Sequence, residues 1–335
     1  MHHKRWFMPL LVALILISVC SMAEATIFIR ITTATTGGTY YPVGVGMATL
    51  WTEKLKGEGI EARAMSSAGW VENVDIMRKH EAEIGIMQGL AQVLAWEGKD
   101  IFQGNPYKEM RSMFSVWPNV DHFVLVKDKV KTGTVTDIKG TRFCPGATGS
   151  GTLLSTKYIM EAIGITFKDI QPEFIGYSEA ARAIMDGRLD GASLIAGPPV
   201  SAVTELLAAP GGPKVKILEF TDEQLKKVQE VLPFYFRYII EPGVYPNQNE
   251  PIKTIAQPNW IAVRQDLPAD VVYKLTKTIW ENLDYMVKVH KACKAMKLEK
   301  ALDGLTVPLH PGAYRYYKEK GLNIPEHLIP PEEKK

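Results

Sequence analysis

From residue 27 onward, short apolar runs alternate with stretches in which apolar residues recur at helical spacing. Residues 27–32, 60–65 and 83–87 read as strands, with helices expected at 41–55 and 71–79 between and after the first two. Two further strand runs follow at 111–116 and 122–126. A second series opens with a strand at 141–144. Helices at 151–163 and 178–185, a strand at 190–195 and a helix at 199–207 continue it. Alternation of this kind predicts the α/β class with largely parallel sheets. Towards the end, Val272, Leu275, Ile279, Leu283, Met286 and Val287 keep helical spacing across 269–290. Pro268 sits at the start, where a proline fits the first turn.

Two similar series with a helical return predict two lobes joined by more than one crossing. The first lobe is expected from residues 26–121 with 260–330, and the second from 122–259. The crossings fall near 120–126 and 257–263. The interface between such lobes is a favoured place for a ligand cleft. The tail, 331–335, rich in charge after two prolines, is expected to be disordered.

The first residues change the picture of where the chain works. Lys4 and Arg5 precede an apolar run of about 14 residues, too short for a lasting membrane span. Ala23-Glu24-Ala25 then offers small residues at the positions a signal peptidase reads. Residues 1–25 therefore read as a signal peptide cleaved after Ala25, with export to the periplasm. A net charge of +2 over 335 residues gives no basic stripe for nucleic acid. Cys144 and Cys293 are far apart in sequence and outside metal-like spacing; pairing and two buried thiols both remain open.

Candidate chemistry lies in the strand-to-helix loops. Thr35-Thr36-Gly37-Gly38-Thr39-Tyr40-Tyr41-Pro42 lets the backbone approach a ligand just where a helix start presents unbonded N–H groups and partial positive charge. Gly146-Ala147-Thr148-Gly149-Ser150-Gly151-Thr152 does the same in the second series. It lacks the lysine of a phosphate-binding loop and the last glycine of a dinucleotide fingerprint. What remains is a donor-rich nest for an anion. Ser66-Ser67-Ala68-Gly69 and Gln88, at the C-terminal edges of their strands, are further candidates. Each loop also has a plain reading as a capped turn.

Enzyme constellations are missing from the pattern. The histidines form no H-x-x-x-H pair, so no metal is expected. No G-x-S-x-G elbow occurs, and Asp186 and Asp190 read as a helix stop and a strand entry. Neither catalysis nor a cofactor is expected.

Taken in order, the motifs resemble the TAXI family, the extracytoplasmic solute receptors of TRAP transporters. The likeness is carried by Thr36-Gly37-Gly38-Thr39-Tyr40-Tyr41-Pro42, Ser67-Ala68-Gly69 with Glu72-Asn73, and Ile84-Gly85-Ile86-Met87-Gln88. It continues through Asp137-Ile138-Lys139-Gly140, Gly149-Ser150-Gly151-Thr152, Met185-Asp186-Gly187 with Asp190, Ala196-Gly197-Pro198-Pro199 and Pro308-Leu309-His310-Pro311-Gly312-Ala313. The resemblance implies a two-lobed periplasmic-binding-protein fold of type II-like form, with a hinged cleft. It further implies TRAP membrane subunits, often fused, as partner, and a small carboxylate such as glutamate or 2-oxoglutarate as ligand. The site residues it implies are Thr36, Gly38, Tyr40, Ser67, Gln88, Ser150, Gly151 and Thr152, with Gly197 and Pro198 at the border. A ligand-sensing receptor, or an enzyme on the same fold, are the alternatives. Trp70 stands where the family usually has a small residue; it narrows the pocket, stacks on a planar ligand, or points into a core.

Overall fold

The computed structural model describes residues 26–211 and 214–334; the expected signal peptide, 1–25, lies outside the described residues. Strand β1 (Ile27–Thr32) leads into helix α1 (Tyr40–Leu55), β2 (Ile60–Met65), α2 (Trp70–Arg78), β3 (Ile84–Gln88) and α3 (Gly89–Leu94). The chain then enters a long strand, β4 (Met110–Val126), and passes through β5 (Arg142–Cys144), α4 (Gly151–Ala162), β6 (Gln171–Pro172), α5 (Tyr177–Met185), β7 (Gly191–Ala196) and α6 (Ser201–Leu207). It continues through β8 (Val215–Ile217), α7 (Asp222–Val231) and β9 (Phe236–Ile240) to a second long strand, β10 (Ile252–Arg264). Helices α8 (Ala269–Trp280), α9 (Leu283–Val289) and α10 (Pro311–Glu319) close it.

One continuous sheet of order β2-β1-β3-β10-β4-β7-β5-β6 connects two lobes, with β8 on β4 and β9 on β10. Within each lobe the short strands pair in parallel, β1 with β2 and β3, β5 with β6 and β7. The long strands run antiparallel and are shared. Residues 110–115 of β4 pair with the end of β10, and residues 120–125 pair with β7. In the same way β10 begins against β9 and ends against β3. The lobe boundaries read from sequence fall inside these two strands.

The sequence suggests separate strands at 111–116 and 122–126, yet β4 runs unbroken through Pro118. A proline interrupts a ladder because it has no N–H to donate. Here Pro118 stands opposite Pro258 of β10, beside a register shift, so at that point neither strand asks the other for a bond. The expected long helix at 269–290 is two helices, α8 and α9. Asn282 separates them, its side-chain amide donating to the Thr278 carbonyl (2.8 Å) and closing the end of α8.

Helix α8 packs on α1, fixed by Trp51 Nε1 donating to the Leu275 carbonyl at 3.0 Å. Within the tail expected to be disordered, residues 331–333 form a 3₁₀ turn, and Glu332 pairs with the buried Arg111 at 2.9 Å. Cys144 and Cys293 are both buried free thiols, each raised by desolvation, Cys293 to about 12. Among the described residues no helix is long and apolar enough to cross a membrane.

Candidate functional site

Four helices begin at the same narrow space between the lobes. Tyr40 opens α1 and Trp70 opens α2 from one side; Gly151 opens α4 and Tyr177 opens α5 from the other. Each follows a strand or its turn, so the sheet's strand ends and the helix starts face one cleft, as open α/β sheets arrange their ligands. The first N–H groups of a helix have no partner within it, and each start carries roughly half a positive charge. Helices α1 and α2 have no side-chain cap, and in α4 the Ser150 hydroxyl accepts only from Leu153 N, at 3.1 Å. Among the described residues no lysine, arginine, histidine or carboxylate lines the cleft, while at its border the carboxylates of Glu72 and Glu179 accept from Ala68 N and Gly176 N. Its character is therefore anion-accepting by backbone rather than by side-chain charge.

The lobes meet closely across it. The Trp70 indole N–H donates to Gln88 Oε1 (2.9 Å), and the ring stacks on Phe102. Ser155 of α4 donates to the same oxygen at 3.2 Å, so Gln88 ties a helix of each lobe together. A Cβ added to Gly151 would lie 1.7 Å from Trp70 Cδ1, which only glycine tolerates. Opposite, the Thr152 and Tyr177 hydroxyls are 2.5 Å apart, and Tyr177 also accepts from Ile195 N at 2.8 Å. Tyr40 donates its hydroxyl to Asn259 Oδ1. Burial raises both tyrosines, keeping them protonated donors. The free volume left is about 30 Å3, room for roughly one or two waters.

Six of the residues expected at the site line this cleft: Gly38, Tyr40, Gln88, Ser150, Gly151 and Thr152. Thr36 and Ser67 do not; they border an adjoining groove of about 340 Å3 with Ser178, Glu179 and the exposed Arg182. Ser67 is engaged with Asn73 Oδ1 (2.6 Å) and accepts from Gly69 N. Gly197 and Pro198 lie outside the cleft lining. Gly197 is held by Thr39 Oγ1 donating to its carbonyl, and a Cβ there would meet Trp117 Cδ1 at 2.2 Å. Trp70, open to three readings in the sequence, meets two of them: it lines the narrow cleft and its ring is buried in the core against Phe102. Sequence reasoning missed Tyr177 and Ile195. A tyrosine after a glycine at a helix start was a usable signal for the first; nothing local marks the second.

The NMT1-like family model matches residues 31–321. Among solved structures, a protein of Bordetella bronchiseptica RB50 is similar at a TM-score of 0.51 and 17% identity, over 91% of this chain and 85% of that one. PhnD1 from Prochlorococcus marinus, in complex with methylphosphonate, gives 0.49 and 14%, over 88% and 97%. The alkanesulfonate-binding protein SsuA from Xanthomonas axonopodis pv. citri, bound to MOPS, gives 0.48 and 11%, over 92% and 97%. At 17% identity the likeness to the Bordetella protein concerns the fold alone.

Proposed function

The chain belongs to the NMT1-like family, and from that premise we propose that it is a periplasmic solute-binding protein, closing its lobes on a small anion for a membrane transporter. The observation that carries this reading is the convergence of four helix starts, two per lobe, on a cleft without charged side chains. An anion there bonds to N–H groups of both lobes at once, and a charged acceptor makes each bond stronger than its neutral equivalent. A ligand that bridges both lobes binds the closed state better than the open one, which shifts the population towards closure. With free volume for only a water or two, the cleft has to open to admit a solute.

For the finer identity, a small carboxylate fits the donor set, and the motif resemblance to TAXI receptors supports TRAP subunits as the partner. The leader-like residues 1–25 support export. Calorimetric titration with 2-oxoglutarate, glutarate, ethanesulfonate and methylphosphonate tests the capture of anions. At least one is expected to bind, to be recovered unchanged, and to lose about 100-fold or more in affinity in Gly151→Val, whose side chain collides with Trp70 on closure. Failure of every anion to bind, or full affinity in Gly151→Val, overturns the reading.

A further inference from the structure

Directly behind the cleft wall, the two shared strands bury polar groups that no other protein group satisfies. Asp121 is fully buried, with neither carboxyl oxygen partnered. Asn119, equally buried, has both its amide oxygen and its nitrogen unpartnered. Asn259 Nδ2 and Trp117 Nε1 are in the same condition. Native interiors leave few such groups, and each calls for a reason.

Their placement relates them to the cleft. Asp121 is the register partner of Ile195, which lines the cleft, so the two Cβ atoms share a face at roughly 5 Å. Tyr40, also in the cleft wall, holds Asn259 through its hydroxyl and sets its ring edge-on to Trp117, centroids 6.2 Å apart. Asn119 lies between them on β4, opposite Gln257. The whole set is one side chain behind the wall. It offers three acceptor oxygens, two from Asp121 and one from Asn119, and three donor nitrogens, those of Asn119, Asn259 and Trp117.

We propose that this cluster is the inner end of the ligand cleft, and that Asp121 there receives a protonated amine of the bound solute. The inference rests on the anion-capture reading: the helix starts take the solute's anionic group, and Asp121 with Asn119 takes its cationic one. An ammonium presents three N–H donors, matching the three orphan oxygens. Among the described residues no lysine, arginine or histidine is hydrogen-bonded or ion-paired to Asp121. The ionisable groups that feel it are the phenols of Tyr177 and Tyr235, which bring no positive charge. Burial raises Asp121 well above the usual carboxylate range, keeping its proton on. The arriving ammonium ionises it: the carboxyl O–H bond breaks, the proton leaves to solvent, and the ammonium keeps all of its own.

Matched anions with and without an amino group test this: L-glutamate against glutarate, taurine against ethanesulfonate, and 2-aminoethylphosphonate against ethylphosphonate. For whichever anion binds, the amine-bearing member is expected to bind about 30-fold tighter or more, releasing close to one proton by calorimetry in two buffers. Asp121→Asn is expected to bring the two members within about threefold of each other. Equal or tighter binding of the amine-free member to the native protein overturns the proposal, marks the cluster as holding water, and leaves anion capture intact. A pair preference that survives in Asp121→Asn overturns it too. Binding by no member of any pair removes both readings. If Asp121→Asn does not fold, the native pair comparison and the proton count decide alone.

Discussion

Asp121 and His122 are neighbours on one strand, both fully buried, and their surroundings could hardly differ more. His122 Nδ1 lies 3.0 Å from the carbonyls of Val120 and Leu194, which can only accept, so that nitrogen carries the proton. Its Nε2 then accepts from the Tyr245 hydroxyl (2.8 Å), which in turn accepts from Val200 N. Each atom of that chain is used. On the opposite face, Asp121 uses none of its capacity. The satisfied face is structure, since each bond there offsets the desolvation of a buried polar group. The unsatisfied face costs stability, which folded proteins tolerate where a binding site needs it.

The contrast gives predictions of opposite sign. His122 and His310 are both held down at about 4 by burial, against 6.5 for a free histidine. Stability they support is complete above pH 6.5 and lost as pH falls towards 4, on the order of 3 kcal/mol for each. Chemical denaturation across that window should show it. Next in size, His122→Leu leaves the Tyr245 O–H without its acceptor and removes the ring's bonds to two carbonyls, and should cost about 3 kcal/mol at pH 8, while flattening the acid dependence. Asp121→Asn should do the reverse and stabilise, by about 1 kcal/mol or more at pH 8. The sign follows from a raised folded-state carboxyl, whose contribution is complete below the unfolded value near 3.8 and is lost as pH rises. The gain should therefore vanish near pH 4. Were Asp121→Asn as costly as His122→Leu, the difference between the two faces would collapse. The smallest effect is expected for Trp70→Phe, which loses one hydrogen bond to Gln88 and should weaken ligand affinity by about 1 kcal/mol in titration.

The strand and helix order of both lobes was legible because period-2 and period-3.6 patterns survive burial. The glycine loops at 37–38 and 149–151 were legible because close backbone approach leaves glycine as its trace. What lies across the chain was not. Nothing around Trp70 says that its indole rests on Gly151 of the other lobe, or that Gln88 is shared with Ser155. Thr36 and Ser67 sit in loops of the right kind but border the adjoining groove, because position along a turn does not specify direction. Asp121 was invisible for a related reason. A single acid in an apolar run reads as a strand residue until its neighbours are known to offer no partner.

The facing prolines have a mechanical meaning. At Pro118 and Pro258 the two connecting strands exchange no ladder bond, so the sheet can change twist there without breaking one. An axle made in this way needs no flexible loop. In the proposed closure it would keep the lobes in register and bring Gly151 back against Trp70.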